Sequence, residues 1–388
     1  MKIRHLYIHV PFCARRCGYC DFAVTATSSA PVEAWLTAIR AELEERQRRE
    51  RWQTPMALDT IYVGGGTPSL LGTGAMARLR DLLQAFAEWD SASVEWTAEA
   101  NPESFSGELA EDWVAAGVNR ISLGAQTFHQ PALRWMGRLH GTEGPATAVA
   151  AARGAGLDNV SIDLIFGLPA RLERDWAGDL DRALALEPAH ISLYGLTAES
   201  GTPLGRWVRE GREQLADDGR YADEFVLAAD RLTAAGLQHY EVSNFARPGR
   251  DSRHNRAYWR HAPYLGLGPG SHSFLPPVRA WNVRDWAEYR SRLEQGTSVE
   301  AGCESLTADD LALESAWLGL RTDDGVPVRR LAPAQRELVA LWQAQGLAWQ
   351  AGEVVRLTTA GWLILDRLAV ELDARRGTPD PVAAPDGA

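Results

Sequence analysis

Three of the four cysteines fall within eight residues, as Cys13-x3-Cys17-x2-Cys20, and the fourth, Cys303, is far away. Thiolates at these short spacings can converge on one metal centre if the backbone curls, and Gly18 relaxes the turn between them. Four cysteines in 388 residues are no disulfide scaffold. Clustered this way, they point to a metal or a cluster in a reducing compartment. Three readings compete. Structural zinc tolerates the spacing but wants four closed ligands, and no fourth Cys or His follows nearby. Inert buried cysteines are the second. The third is an iron–sulfur cluster, which is held by Cys thiolates, usually four. With three, one iron keeps an open position for a small molecule, and the sequence favours this reading.

Positioning such a loop takes a rigid scaffold, and the first three-fifths of the chain supplies its pattern. Short β-branched runs at Leu6–Val10, Thr60–Val63, Val94–Ala98, Arg120–Leu123, Val160–Ile165 and His190–Tyr194 alternate with amphipathic stretches at Pro31–Arg49, Ala75–Ala87, Gly107–Ala116, Gly144–Ala155 and Arg174–Leu186. This alternation predicts right-handed βαβ units in an α/β fold, either an open doubly wound sheet or a partial barrel. Each run leads into something chemically loaded: Cys13, then Gly64-Gly65-Gly66-Thr67-Pro68, then Glu99-Ala100-Asn101-Pro102, then Gly124-Ala125-Gln126. The fifth carries Asp163 and the sixth leads to Thr197. Open and closed α/β sheets place ligands at the carboxyl ends of their strands. One site at that end is therefore expected.

The glycine turn is neither a G-x-G-x-x-G fingerprint nor a phosphate loop with its lysine. It can be a plain strand-to-helix turn or a place where backbone approaches a ligand. Glu99, Gln126, Arg138 and Asp163 have ordinary alternatives too, as helix caps, a polar turn residue or a solvated charge. Their places at or beyond strand ends fit ligand contact instead: carboxylates toward an ammonium or ribose hydroxyls, Arg138 toward a carboxylate.

The formal net charge of −11 opposes nonspecific nucleic-acid binding, which needs a basic surface. No window offers the roughly 18 uninterrupted apolar residues of a membrane span, and Arg15 and Arg16 interrupt the short apolar start before any cleavage site. A cytoplasmic protein is expected.

Beyond position 200 the pattern is less regular. A helix near Tyr221–Ala235 and a strand at His239–Val242 precede a Gly/Pro/aromatic stretch from Arg247 to Pro277. Helices at Thr307–Leu320 and Pro333–Gln345, strands at Leu347–Trp349 and Val354–Leu357, and a helix at Thr359–Asp373 then predict a small winged-helix-like module. Cys303 sits between acids, which raise a thiol pKa, and is read as incidental.

C-x3-C-x2-C with an aromatic before its last cysteine, here Tyr19, resembles the radical S-adenosylmethionine (SAM) superfamily. The resemblance implies a [4Fe–4S] cluster on Cys13, Cys17 and Cys20 whose open iron chelates S-adenosyl-L-methionine, and an electron donor if that cofactor is cleaved. Tyr7-Ile8-His9-Val10-Pro11-Phe12-Cys13, the glycine turn, Ser122–Phe128 and Asp163–Pro169 extend it to the coproporphyrinogen-dehydrogenase-like group. That group implies cofactor contact by Tyr7, Tyr19, Gly65, Gly66, Thr67, Glu99, Gln126, Arg138 and Asp163.

Two departures separate its branches. The oxidase branch, which decarboxylates coproporphyrinogen III, continues to a fourth Cys at position 22, where this chain has Phe22. The heme chaperone branch carries H-N-x-x-Y-W, here His254-Asn255-Arg256-Ala257-Tyr258-Trp259. The resemblance therefore implies heme binding and handover to an acceptor protein. A histidine among aromatics can hold heme, so His254, Tyr258 and Trp259 are heme-contact candidates, with Arg253, Arg256 and Arg260 toward propionates; a hydrogen-bonded histidine in a packed loop is the alternative. The implied architecture is a partial (β/α)6 TIM-like barrel over residues 1–200, an extension over 201–303, a C-terminal domain over 304–376 and a disordered tail at 377–388.

Overall fold

The computed structural model describes residues 2–50, 52 and 55–376, so the expected tail at 377–388 lies outside the described residues. The chain divides into two compact units. The larger comprises 1–238, 243–258 and 262–306, and the smaller 239–242, 259–261 and 307–388.

In the larger unit, β1 (His5–Val10), β2 (Thr60–Gly65), β3 (Glu95–Ala100), β4 (Arg120–Gln126), β5 (Val160–Phe166) and β6 (His190–Gly195) lie side by side in chain order. Every pairing among them is parallel. Parallel neighbours need a crossover, which α1 (Val32–Glu50), α2 (Ala75–Leu83), α3 (Gly107–Ala116), α4 (Gln130–Met136), α5 (Gly144–Gly154) and α6 (Trp176–Ala185) provide. The helix α3 shows how locally this is encoded. Ser106 caps its first turn by accepting from the Leu109 N–H, and Gly117 ends it in the left-handed region. Between those caps Leu109, Ala110, Trp113 and Ala116 form one buried stripe.

The six strands do not close on themselves. Beyond β6 runs the antiparallel strand β7 (Asn244–Ala246), and beyond β1 the parallel strand β8 (Tyr264–Leu267). The antiparallel β9 (His272–Leu275), β10 (Val278–Asn282) and β11 (Glu300–Ser305) extend the sheet further. These last strands leave little trace in the residue pattern because they are short and glycine-punctuated: a Cβ on Gly266 would lie 2.0 Å from the His272 carbonyl oxygen. Helix α2 stops at Leu83 rather than running to Ala87, because the Phe86 and Glu88 carbonyls accept from Met56 and Leu58 in a short parallel ladder. Four further helices are α7 (Pro203–Arg209), α8 (Asp218–Ala234), α9 (Arg253–Trp259) and α10 (Trp286–Glu294), all in this unit but for Trp259 at the end of α9.

Strand side chains alternate faces. One face carries Leu6, Ile8, Ile61, Val63, Trp96, Ala98, Ile121, Leu123, Ile162 and Leu164, all fully buried. At ~1.5–3 kcal/mol for each large apolar side chain removed from water, this layer anchors the fold. The opposite register lines the barrel interior with Thr60, Tyr62, Thr97, Glu99, Arg120, Ser122, Ser161, Asp163, His190 and Ser192. Branched aliphatic layers usually fill that space in barrels of this type. Here it is polar.

In the smaller unit, helices Ala308–Arg321 and Pro333–Ala344 lead to a hairpin of Ala348–Ala351 and Val354–Leu357, joined by Val326–Pro327, and then to helices Thr359–Trp362 and Leu365–Asp373. A capping box of Thr307 and Asp310 starts the first helix. Glu241 is fully buried and pairs with Arg321 at 2.9 Å.

Candidate cofactor site

The cysteine loop is held at its base and its tip. Residues Phe12–Cys13 pair with Thr25–Ala26, and the Thr27 N–H donates to the Cys13 carbonyl at 2.9 Å. At the tip the Leu204 N–H, in the first turn of α7, donates to the Gly18 carbonyl at 2.8 Å. A Cβ on Gly18 would lie 3.3 Å from the Trp207 ring. Tyr19 packs on the apolar cluster of Met136, Ile165, Leu168 and Leu204 beneath the loop.

The three thiols are free and half-exposed. Burial pushes the Cys13 thiol up to about 11 and raises Cys20 as well. Forming thiolates there needs positive charge, which metal coordination provides. Thr67 Oγ1 donates to Cys13 Sγ at 3.4 Å, and Arg138 Nη1 lies 3.9 Å from Cys17 Sγ. Among the described residues no three His, Cys, Asp or Glu side chains are gathered as for a single metal ion. A closed tetrahedral zinc shell would require that. Three cysteines on one half-exposed loop, with an arginine and a hydroxyl toward the sulfurs, fit the donor set of an iron–sulfur cluster.

The strand ends build the adjoining polar wall. Glu99, on β3, accepts from Tyr62 Oη and from the Gly65 N–H, each at 2.8 Å. Gly65 has φ +108°, and a Cβ there would lie 2.2 Å from the His9 ring, so this position requires glycine. His9 is buried, with Nδ1 bonded to Tyr7 Oη at 2.9 Å and Nε2 to the Ala23 carbonyl at 2.8 Å. Tyr7 thereby faces the same wall. A Cβ on Gly66 would meet the Phe12 and Val10 carbonyls at 2.6 and 2.7 Å. Asp163, on β5, accepts from Ser122 Oγ at 2.9 and 3.1 Å. Gln126 ends β4 at φ 66°, an uncommon conformation for a residue with a side chain.

Burial raises the Glu99 carboxyl to about 7 despite its two donors, and raises Asp163 also. A Gly65→Ala substitution should displace the turn and cost at least tenfold in SAM affinity, as measured by calorimetry on cluster-loaded protein. An unchanged affinity would remove Gly65 from the site.

Sequence reasoning missed Asn101. Its Nδ2 donates to Thr67 Oγ1 at 3.1 Å and its Oδ1 accepts from Arg138 Nη2 at 2.6 Å, linking three strand ends. Arg138 Nη2 also donates to the Gly124 carbonyl at 2.7 Å. Tyr62 was missed as well, although the alternation Thr60, Tyr62, Gly64 marks an inward row.

The H-N-x-x-Y-W segment is engaged within the protein. It forms α9, whose first N–H groups, from Arg253 and His254, both donate to the Glu95 carboxylate at 3.0 Å. His254 is 1% exposed. Its Nδ1 is bonded to Thr60 Oγ1 at 2.7 Å and its Nε2 to Tyr258 Oη at 2.8 Å. Burial depresses the imidazole to about 3, so it is neutral. Both ring nitrogens are engaged inside the protein, and His254 presents none to an external iron. Tyr258 packs edge-on against Tyr264. Trp259 belongs to the smaller unit, where the Arg321 guanidinium lies 4.3 Å over its ring. In that unit Arg260 pairs with Asp324 at 2.7 Å. Arg256 pairs with Asp251, and Arg253 Nη1 donates to the Ser93 carbonyl.

Residues 7–183 match the profile of the Radical SAM superfamily. Curated relatives extend the likeness to nearly the whole chain. Heme chaperone HemW of Mycobacterium tuberculosis is 39% identical over 93% of this chain and 92% of its own length. The chain belongs to the HemW family. HemW of Bacillus subtilis is 32% identical over 93% of this chain and 97% of its own length. The mouse relative, radical S-adenosyl methionine domain-containing protein 1, mitochondrial, is 34% identical over 93% of this chain and 82% of its length. Among solved structures, coproporphyrinogen III oxidase (HemN) of Escherichia coli superposes with a TM-score of 0.80 at 21% identity, covering 96% of this chain and 90% of that one. That superposition shows the α/β radical SAM fold. No helix among the described residues of this HemW-family chain is long and apolar enough to cross a membrane.

Proposed function

We propose that the protein is a heme chaperone, which binds heme as cargo and passes it to an acceptor protein. Cys13, Cys17 and Cys20 hold a [4Fe–4S] cluster in this reading, with SAM on the open iron and an electron donor required only if SAM is cleaved. The observation that carries it is near full-length likeness to curated HemW proteins, with the cysteine loop following β1 and the polar wall built on the neighbouring parallel strands. Phe22 supports the chaperone over the oxidase. It is 61% exposed where the oxidase pattern has its fourth cysteine.

When bound, the cluster and its cofactor supply one-electron chemistry. The chain's own residues do the rest. Arg138, tied to Asn101 and the Gly124 carbonyl, is aimed beside Cys17 as a partner for a carboxylate. Glu99 and Asp163 present acceptors to an ammonium or to hydroxyls. Thr67 donates to the Cys13 sulfur and fixes its side of the loop. His254 and Tyr258 are framework, tying α9 to β2 and β3 through Thr60 and Glu95.

The test is direct. Cluster-loaded protein given SAM, reductant and coproporphyrinogen III is expected to form no protoporphyrinogen above background, while heme titration gives a saturable spectral shift. Product at enzymatic rates overturns the proposal in favour of the oxidase. In the same titration, His254→Ala should keep heme affinity within about threefold of wild type and lose stability instead, by about 1–3 kcal/mol for the buried partners left unpaired. A loss of heme affinity beyond tenfold with unchanged stability would restore His254 as a ligand.

A further inference from the structure

The barrel interior contains one charged group that neither the fold nor the proposed site accounts for. Arg120 opens β4, is 2% exposed, and has no salt-bridge or hydrogen-bond partner for its side chain among the described residues; its Nε is buried without an acceptor. Isolated buried charges are costly, and nearly all buried arginines are paired. Arg46 and Arg174 of this same unit follow that rule.

Register places the side chain. Arg120 lies opposite Thr97 of β3, whose hydroxyl is also buried without a partner. Two residues further along, Ser122 lies opposite Glu99 and donates to Asp163. Arg120 is thus one layer beneath Glu99, about 7 Å down the strand at ~3.3 Å per residue, while Asp163 lies two residues beyond Ser161, the register partner of Ser122. Glu95 is committed elsewhere, to the first turn of α9.

The titratable groups within reach of the Arg120 charge are Glu99, Asp163, Tyr62, His190 and His254. Both histidines are held neutral by burial, and the Tyr62 phenol is held protonated. Tyr7 and Tyr258 also face Glu99, as buried neutral phenols. Arg120 is therefore the cation of this group, and Glu99 and Asp163 are its anions.

We infer that Arg120 is the counter-charge for the cofactor-facing carboxylates, a positioning residue that acts on SAM only through Glu99 and Asp163. This rests on the proposed SAM site. Charges a layer apart in a weakly screening interior interact strongly without touching. The Arg120 field favours the ionised form of both carboxyls against the burial that disfavours it. Glu99, pushed to about 7, stands at the edge of ionisation and is most sensitive to losing that field. A raised carboxyl is an anionic acceptor only above its pKa, so SAM binding should weaken as pH falls through about 7.

The experiment measures SAM affinity by calorimetry from pH 6 to 9.5 on anaerobically reconstituted wild type, R120K and R120Q, with cluster absorbance recorded for each. Wild type should lose affinity around pH 7, and R120K should keep its midpoint within one unit. R120Q should bind at least tenfold more weakly at pH 7.5 and rejoin wild type by pH 9.5, with cluster content unchanged; a midpoint shift of one unit is a tenfold change. Wild-type affinity for R120Q at pH 7.5 overturns the inference, and so does a deficit of equal size at pH 9.5. Should R120Q not fold, the other two proteins decide. A wild-type midpoint above pH 8, or an R120K midpoint displaced by more than one unit, overturns it, and the values given above support it. Wild type that takes up a cluster but no SAM overturns the proposed cofactor site itself, a result separable from failure of the Arg120 arm alone.

Discussion

Cys17→Ala, purified without oxygen, is expected to emerge colourless, with less than a tenth of the iron and sulfide of the wild type and no measurable SAM binding. The reason is stoichiometric. Three cysteines share one loop, and the fourth is exposed on β11. Two thiolates hold a four-iron cluster poorly, and without the cluster SAM loses its chelating iron. Cys303→Ala supplies the control and should retain full iron, sulfide and colour. A brown Cys17→Ala protein with wild-type metal would sink the three-cysteine site. A colourless wild type with one zinc per chain would sink the cluster.

The second large effect is on stability. Arg46, on α1, is expected to cost about 3–5 kcal/mol when replaced by alanine, because the change strands a buried partner. Glu42 is fully buried and Arg46 nearly so, and Arg46 Nε donates to Glu42 Oε1 at 3.0 Å. The guanidinium also donates to Ser273 Oγ at 3.1 Å and Asn282 Oδ1 at 3.2 Å. Glu42 accepts in addition from the Gly268 N–H at 2.8 Å, from Asn282 Nδ2 at 2.7 Å and from Tyr289. One ion pair thus fastens α1 to the β8–β10 extension, far along the chain. Urea unfolding followed by tryptophan fluorescence measures the loss, and a loss below about 1 kcal/mol would show that water or rearrangement satisfies Glu42. The double variant Glu42→Gln/Arg46→Met should lose less than Arg46→Ala, since no isolated charge remains buried.

The six parallel strands were legible because each is a short apolar run with its own helix, and period-2 burial leaves its mark on such runs. The carboxyl-end position of Glu99 and Gln126 followed from the same alternation, whereas Asp163 sits mid-strand in β5. Three things were not legible. Glycine-broken strands such as Tyr264–Leu267 carry too few side chains to show a period. The Glu42–Arg46 pair reads as a solvated i,i+4 salt bridge, and only its burial beneath Asn282 makes it structural. The H-N-x-x-Y-W segment was ambiguous for a physical reason: a histidine beside aromatics suits heme and a hydrogen-bonded packing role equally. Only the positions of Thr60 and Tyr258 distinguish the two.

The cysteine loop is clamped between a short ladder and the first turn of α7, yet its sulfurs remain within reach of solvent. Metal-dependent miniature domains collapse without their ion because the ion nucleates them; this loop instead borders a sheet whose apolar layer is buried within the protein itself. In the proposed reading the cluster is an addition to a folded chain: stripping it in air should leave the urea-unfolding midpoint nearly unchanged, and iron and sulfide supplied to the folded protein should restore it.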